Sequence, residues 1–443
     1  MTNKKYFLIG IGGIGMSSIA QYLYEKENTI LGYDASENKS VKILIKKGIE
    51  VVNKLSLKSI PDYMKKDDVI VVYTPAIPDD NIFLKYFRKN GNSKIYKRSE
   101  ILGEISKQSK CIAIAGTHGK TTTTAIISHL FYSSGIHFKA FIGGIMKCFD
   151  SNFINTGNDY IIVEADEYDR SFLNLNPNYA VITSIENDHL DFYGDFKSLA
   201  ESFHLFTNNV KDILITEAEI DIDKDFSFSI KRDSDYYVNN IKILENKIRF
   251  DFKTPNNFYP NISANIKGLH NLKNALAALS IIDQIKEIDI ENLLPFLSNF
   301  KGIERRMDIY KLDNKVVIDD YAHHPTEIES VLNTIQTYYK NKSKAVVFQP
   351  HLFSRTRDFM DQFAFVLSKF DEVYLLDIYP AREKPIAGVS SQILLEKINC
   401  LKKEIVDGKS IDNIVLNSKI DVISILGAGN ISEYLDKKIF QNV

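Results

Sequence analysis

"CIAIAGTHGKTTTTA", residues Cys111 to Ala125, decides how this 443-residue chain is built. A run of β-branched and small residues stops at Ala115. Gly116, Thr117, His118, Gly119 and Lys120 follow, then four threonines that lead into "AIISHLFYSSG". A strand that breaks into a glycine-rich loop and then a helix is a phosphate site. The loop's N–H groups point inward and the helix N-terminus adds partial positive charge. Gly116 and Gly119 let the chain turn and the phosphates approach, and Lys120 is a point charge for the β- and γ-phosphates of a nucleotide. Thr121 or Thr122 can place a hydroxyl on Mg²⁺. A full Walker pattern wants glycine where Ile114 stands, so "GTHGKTT" is a variant loop.

Another glycine loop, the first in chain order, lies upstream. "YFLIGIGGIGMSS" places Gly10, Gly12 and Gly15 in a G-x-G-x-x-G pattern between a strand and a helix, with Gly13 inside it. Asp34 ends the next strand, about 20 residues on, where a ribose-binding acid sits in such folds. The pattern promises a diphosphate on a helix N-terminus. Both NAD and a UDP-sugar offer one, and the motif does not choose between them.

Strand–helix alternation recurs throughout, which predicts an α/β chain with mostly parallel sheets. Three blocks emerge: residues 1–105, opening with the first glycine loop; 106–308, opening with the second; and 309–443, with strands at "KVVIDDY", "KAVVFQP", "EVYLLDIYP" and "DVISILGAG". A length of 443 residues exceeds one core, since domains hold roughly 100–200 residues. A net charge of -2 gives no reason to expect nucleic acid or an anionic membrane as partner. Cys111, Cys148 and Cys400 are too scattered for a disulfide framework or a metal cluster, and suit a reducing cytoplasm. The N-terminal stretch has a lysine-plus-apolar look, but four glycines and no clear cleavage site favour the nucleotide loop over a signal peptide. No segment is long enough to span a membrane.

Carboxylates gather at strand ends, where open α/β sheets bind ligands. "IIVEADEYDRSF" carries Glu164, Asp166, Glu167 and Asp169, and Glu164, which ends the apolar run, is the best candidate for a metal held with phosphates. The other three read equally well as a solvated acidic turn. "VITSIENDHLDFYGDF" repeats the layout with Asp188, His189 and Asp191.

Eight motifs occur in order: "GIGGIGMSSIA", "AGTHGKTTTT", "EADEYDRSF", "NDHLDFYGDF", "GLHNLKNALAAL", "GIERRMD", "IDDYAHHPTEI" and "FQPHLFSRTRD". Together they resemble the Mur ligases, from about residue 5 to about residue 430. The resemblance implies a Rossmann-like domain for a UDP-sugar, a central P-loop ATPase and a Rossmann-like domain that receives an amino acid. Within the family the motifs are most similar to those of the member that joins L-alanine to the carboxylate of UDP-N-acetylmuramate in peptidoglycan precursor synthesis. That reaction uses ATP and Mg²⁺ and passes through an acyl phosphate.

The same resemblance implies roles. Lys120 and Arg306 reach the γ-phosphate, with Arg305 the neighbouring alternative. Thr121, Glu164 and His189 bind Mg²⁺. Gly116 to Thr122, His270, Asn271, Asn274 and Asp320 hold ATP, while Gly10, Gly12, Gly13, Gly15, Asp34 and Thr74 hold the UDP-sugar. Tyr321, His323, His351 and Arg355 form the amino-acid site, with the Arg355 fork taking the free carboxylate. Arg357 reads equally as a surface ion-pair residue. The chain departs from family habit at Ser184, often Asn; at Leu352, often Arg; and around His204, where several members carry a carbamylated lysine. Three other readings stay open: a ligase adding a whole murein tripeptide to the same sugar nucleotide, an NAD-dependent oxidoreductase resting on "GIGGIG" alone, and a nucleotide-binding protein without activity.

Overall fold

The apolar runs of the first block form five parallel strands, β1 (Lys5–Ile9), β2 (Thr29–Tyr33), β3 (Glu50–Val52), β4 (Val69–Tyr73) and β5 (Lys94–Lys97). A computed structural model describes residues 2–66, 68–89, 93–230, 234–245 and 247–442; Met1 and Val443, the outer limits of the expected blocks, lie outside these. The order 3-2-1-4-5 puts β1 beside β4. Connections leave these two strands in opposite directions, which opens a crevice at their carboxyl ends. The glycine loop after β1 and Thr74 after β4 border that crevice.

The second sheet has ten strands: β6 (Lys110–Ala115), β7 (Phe138–Met146), β8 (Ser151–Asn155), β9 (Tyr160–Glu164), β10 (Tyr179–Ile182), β11 (Ile213–Glu217), β12 (Phe226–Ser229), β13 (Tyr236–Leu244), β14 (Lys247–Lys253) and β15 (Phe258–Ala264). β6 lies between β9 and β10, parallel to both. The phosphate loop after β6 therefore has Glu164 at the end of β9 on one side and Thr183–His189 after β10 on the other. The edges turn antiparallel, in β7–β8 and in β13–β14–β15.

The third sheet holds β16 (Asp308–Leu312), β17 (Lys315–Asp320), β18 (Lys344–Phe348), β19 (Glu372–Leu375), β20 (Lys402–Ile405), β21 (Val422–Leu426) and β22 (Gln441–Asn442), in the order 20-19-18-21-17-16-22. Its inner strands are parallel, and β16 and β22 add an antiparallel edge.

The first two sheets share one core. Ile19, Leu23, Ile101 and Ile105 from helices Ile14–Glu25 and Arg98–Ser106 pack with Phe141, Phe153 and Phe172 of the second block. A buried polar seam locks the junction: Gln21 Nε2 donates to Asn152 Oδ1 (2.8 Å), and Asn152 Nδ2 to Ser17 Oγ (2.9 Å). The third sheet keeps separate clusters on its two faces. No helix among the described residues is long and apolar enough to cross a membrane.

Candidate active site

The phosphate loop needs its glycines. Gly116 and Gly119 have φ of +127° and +88°. A Cβ on Gly116 would lie 2.3 Å from Thr183 Oγ1, and one on Gly119 2.3 Å from Asn274 Oδ1. Helix Lys120–Ser133 starts directly after Gly119. Ser184 stitches the loop to the next strand end, since its Oγ accepts from His118 N (3.0 Å) and its O from Thr117 N (3.0 Å).

Lys120 Nζ donates to Gly116 O (2.6 Å) and to both oxygens of Glu167, at 3.0 and 2.8 Å. Glu167 is completely buried. Burial works against the lysine's charge, but Glu167, then Asp166 and Glu164, outweigh it and raise its pKa. Glu164 accepts from Thr121 Oγ1 (3.0 Å) and from Gly143 N (2.8 Å). Burial raises its pKa, against the charges of Lys120 and Arg306. A Cβ on Gly143 would lie 2.3 Å from Glu164 Oε2, so that carboxylate occupies a cradle only glycine leaves open. His189 opens a short helix with φ +55° and sits with Nε2 3.6 Å from Glu167 Oε1. Its Nδ1 is buried without a hydrogen-bond partner among the described residues.

The two neighbouring arginines divide their tasks. The Arg305 guanidinium donates to Gly427 O and Gly429 O and anchors the linker to the third sheet. Arg306 lies over the Tyr321 ring, 5.0 Å from its centroid, and faces both the cavities described next. Asp320 accepts from Met307 N (2.6 Å) and Ala322 N (2.8 Å), and burial pushes it up to about 6 against the Arg306 charge.

The smaller cavity, about 230 Å³, runs from the phosphate loop to His270, Asn271, Asn274 and Asp320. The second, about 410 Å³, collects groups from all three sheets: Gly13, Gly15, Thr74 and Arg98; Lys120, Glu164, Asp188 and His189; Tyr321, His323 and Arg382. A cleft of about 1330 Å³ leads past Gly12, Lys39 and Arg306.

Family models match along the whole chain. The "Mur ligase family, catalytic domain" covers residues 5–110, the "Mur ligase middle domain" 114–282, and the "Mur ligase, glutamate ligase domain" 305–429. The chain belongs to the Mur ligase family. A UDP-N-acetylmuramate–L-alanine ligase of Christiangramia forsetii is 43% identical over 98% of this chain and 96% of its own length. One of Cytophaga hutchinsonii is 39% identical, over 97% and 95%. Among solved structures, a UDP-N-acetylmuramate-alanine ligase of Thermotoga maritima superposes with a TM-score of 0.83 and 28% identity, over 97% of each chain. The match over residues 5–110 gives the first glycine loop to a Mur ligase domain and leaves the oxidoreductase reading without support.

Not every expected residue of this Mur ligase faces a cavity. Asp34 accepts from Gly12 N (2.8 Å), Ser36 N (2.9 Å) and Ser36 Oγ (2.7 Å), so it shapes the glycine loop and lines neither of the smaller cavities. The expected free fork of Arg355 is corrected. Its Nε and Nη2 both donate to Asp188 Oδ1, at 3.1 and 2.6 Å, and its Nη1 contacts His351 Nδ1 at 3.3 Å. His351 in turn stacks on Tyr379, at 5.6 Å between centroids, and burial lowers its pKa to about 2. Both residues lie behind the cavity wall. Arg357 is exposed and pairs with Asp358 at 2.7 Å.

Three residues that matter were not singled out. Glu167 stood among the acids after β9, with nothing local to mark it as buried. Glu327 lies within "HHPTEI", whose Pro and Glu spacing is a helix-start signature. It caps helix Pro325–Tyr338, accepting from His323 N (2.9 Å) and His324 N (3.2 Å), and reaches His118 Nδ1 across the domain boundary (3.2 Å). Arg382 follows β19 at its carboxyl end, a position that is itself a usable signal.

His118 makes a second contact, its Nε2 lying 3.6 Å from Glu186. Burial disfavours its charge, but the two carboxylates, Glu186 and Glu327, prevail and raise it to about 10. Glu186 is lowered to about 2, first by His118. A raised histidine stabilises fully below its unfolded value of 6.5 and loses that contribution as pH climbs through about 10. The depressed Glu186 contributes above its unfolded 4.5 and loses it as pH falls towards about 2. Calorimetric melting temperatures of the His118→Gln chain should therefore decline less between roughly pH 6.5 and 10 than those of the unaltered chain. Parallel declines in the two chains would sink this assignment.

Proposed function

We propose that this Mur ligase joins the carboxylate of UDP-N-acetylmuramate to the amine of L-alanine, with ATP, in peptidoglycan precursor synthesis. A cytoplasmic setting suits its three free cysteines. The observation that carries the reading is the 410 Å³ cavity, where a diphosphate-type glycine loop, a phosphate-loop lysine and third-sheet groups meet in one space. A three-substrate ligase needs that meeting; a simple ATPase does not. The names borne by the relatives support the same reading.

In this reading residues 1–105 hold the UDP-sugar on Gly10, Gly12, Gly13, Gly15 and Thr74, with Asp34 bracing the loop. Residues 106–308 hold ATP in the smaller cavity, its phosphates on Gly116 to Thr122 and its nucleoside side at His270, Asn271 and Asn274. Residues 309–443 bring Asp320 to that cavity and the amino-acid site to the other.

A carboxylate attacking a triphosphate brings anion to anion, so the site must supply positive charge. Lys120, held cationic by Glu167, and Arg306, steadied over Tyr321, supply it. The substrate oxygen bonds to the γ-phosphorus as the bond to ADP breaks. The amine of L-alanine, once deprotonated, attacks the acyl carbon, and phosphate leaves. Thr121, Glu164 and His189 would hold Mg²⁺: hydroxyl and carboxylate oxygens beside a phosphate loop suit a hard cation, and His189 Nδ1 lacks another partner among the described residues. When bound, that ion neutralises phosphate charge. Tyr321 and His323 border the amino acid, and His351 and Arg355 support that wall from behind.

The test is phosphate release with ATP, Mg²⁺ and UDP-N-acetylmuramate across a panel of acceptors. Release should require both the sugar nucleotide and L-alanine. Much faster turnover with a free tripeptide would move the assignment to a recycling ligase.

A further inference from the structure

We infer that Arg382 is the receptor for the free carboxylate of the incoming amino acid. This rests on the proposed ligase activity and names the residue that recognises its smallest substrate. An amino acid that reacts through its amine keeps a carboxylate that must be fixed, and an arginine fork does this bidentately.

Three arginines line the 410 Å³ cavity: Arg98, Arg306 and Arg382. Arg98 belongs to the sugar-nucleotide end. Its Nη2 donates to Asp166 (3.1 Å), and its Nη1 lies 2.5 Å from where a Cβ on Gly15 would be. Arg306 belongs to the phosphate end, since it also faces the smaller cavity and acts on Glu164 and Asp320. Arg382 is the one that the third sheet contributes. Arg355, the sequence-based choice, has all of its guanidinium nitrogens engaged by Asp188 and His351 and is 6% exposed.

Arg382 is both held and available. Its Nη2 donates to Asp191 Oδ2 (3.0 Å), and its guanidinium lies 4.3 Å above the Tyr168 ring. Nε and Nη1 have no acceptor among the described residues. The side chain is 31% exposed, so a small anion can reach it. The loop that carries it is stapled to the neighbouring strand end. Tyr379 N donates to Pro350 O (2.8 Å) and Leu352 N to Tyr379 O (3.0 Å). Glu383 accepts from Ser354 N (2.9 Å) and from Ser354 Oγ. A fork fixed before binding loses little entropy when the substrate arrives.

The competing role for Arg382 is that of a domain latch through Asp191. Steady-state phosphate release separates the two roles. Arg382→Ala should raise KM for L-alanine roughly 10- to 100-fold, the worth of hydrogen bonds to a charged group, with KM for ATP and for the UDP-sugar within about threefold. Asp191→Asn removes the charge from the latch but keeps the fork, and should leave KM for L-alanine within about threefold. The preference of the unaltered chain for L-alanine over L-alaninamide should collapse towards one in Arg382→Ala and return in part in Arg382→Lys. An unchanged preference in Arg382→Ala, or an equal rise of KM in Asp191→Asn, would overturn the inference. Failure of the unaltered chain to release phosphate with L-alanine would overturn the ligase reading itself, and this inference with it.

Discussion

Lys120→Ala lowers turnover by about 100- to 1000-fold, the usual loss when one preorganised charge at a transition state is removed. The structure adds a complication that the glycine-loop motif alone does not show. The Lys120 side chain is 13% exposed, and both oxygens of a fully buried Glu167 rest on it. Removing the lysine leaves that carboxylate buried without a countercharge, which costs about 3–5 kcal/mol. A loss of activity in the single variant therefore mixes two causes, lost chemistry and a weakened fold. The pair Lys120→Ala with Glu167→Gln separates them, because the amide needs no countercharge. The double variant should recover most of the melting temperature and none of the turnover. Activity that returned with stability would show that Lys120 acts by holding Glu167, and the phosphate-loop assignment would have to be abandoned.

That complication marks where the sequence stops being legible. "CIAIAGTHGKTTTTA" could be read because strand, loop and helix start are all local, and the glycines carry the signal themselves. β1, β9, β10 and the parallel strands of the third sheet were legible because they are buried on both faces and read as continuous apolar runs. The antiparallel edge was not. β13 and β14, "YYVNNIKIL" and "KIRFDFK", show one face to solvent, and charged residues break the run. The shared core of the first two sheets was also hidden, because it is made from faces of helices and strands far apart in the chain. Site residues divide in the same way. Glu164 could be picked out because it ends a strand. Glu167 could not be told from a solvated turn, since its burial depends on a lysine 47 positions away. Arg355 looked free because its partner, Asp188, stands 167 positions upstream.

The Arg355–Asp188 pair sets the second large effect. Arg355→Ala should cost about 3–5 kcal/mol, the penalty for leaving one member of a buried ion pair alone. Both side chains are 5% exposed, so solvent screening does little to reduce that figure. Burial by itself would raise the pKa of Asp188, but the charges of Arg355, then His189 and His323, hold it well below the usual carboxylate range. Its stabilising contribution is thus present above about pH 3.9 and fades only in stronger acid. The pair joins the second sheet's loop to the third sheet's helix Phe353–Asp358. Three lighter contacts span the same boundary: Thr326 Oγ1 to Glu186 (2.9 Å), Arg382 to Asp191 (3.0 Å) and His118 to Glu327 (3.2 Å). The third sheet has its own apolar cores, so losing the pair should release that domain as a unit rather than unfold the chain. Hydrogen exchange should show deprotection at residues 183–191 and 350–358, with the interior of the second sheet unchanged, and small-angle scattering should show a larger radius. Turnover should fall with the population of the docked form. Asp188→Leu combined with Arg355→Met keeps the volume and removes both charges, so it should restore docking and much of the stability. If the double variant instead stayed open, the buried pair would be holding the domains by more than charge compensation. If Arg355→Ala kept the docked protection pattern but lost affinity for L-alanine, the carboxylate receptor would be Arg355 after all.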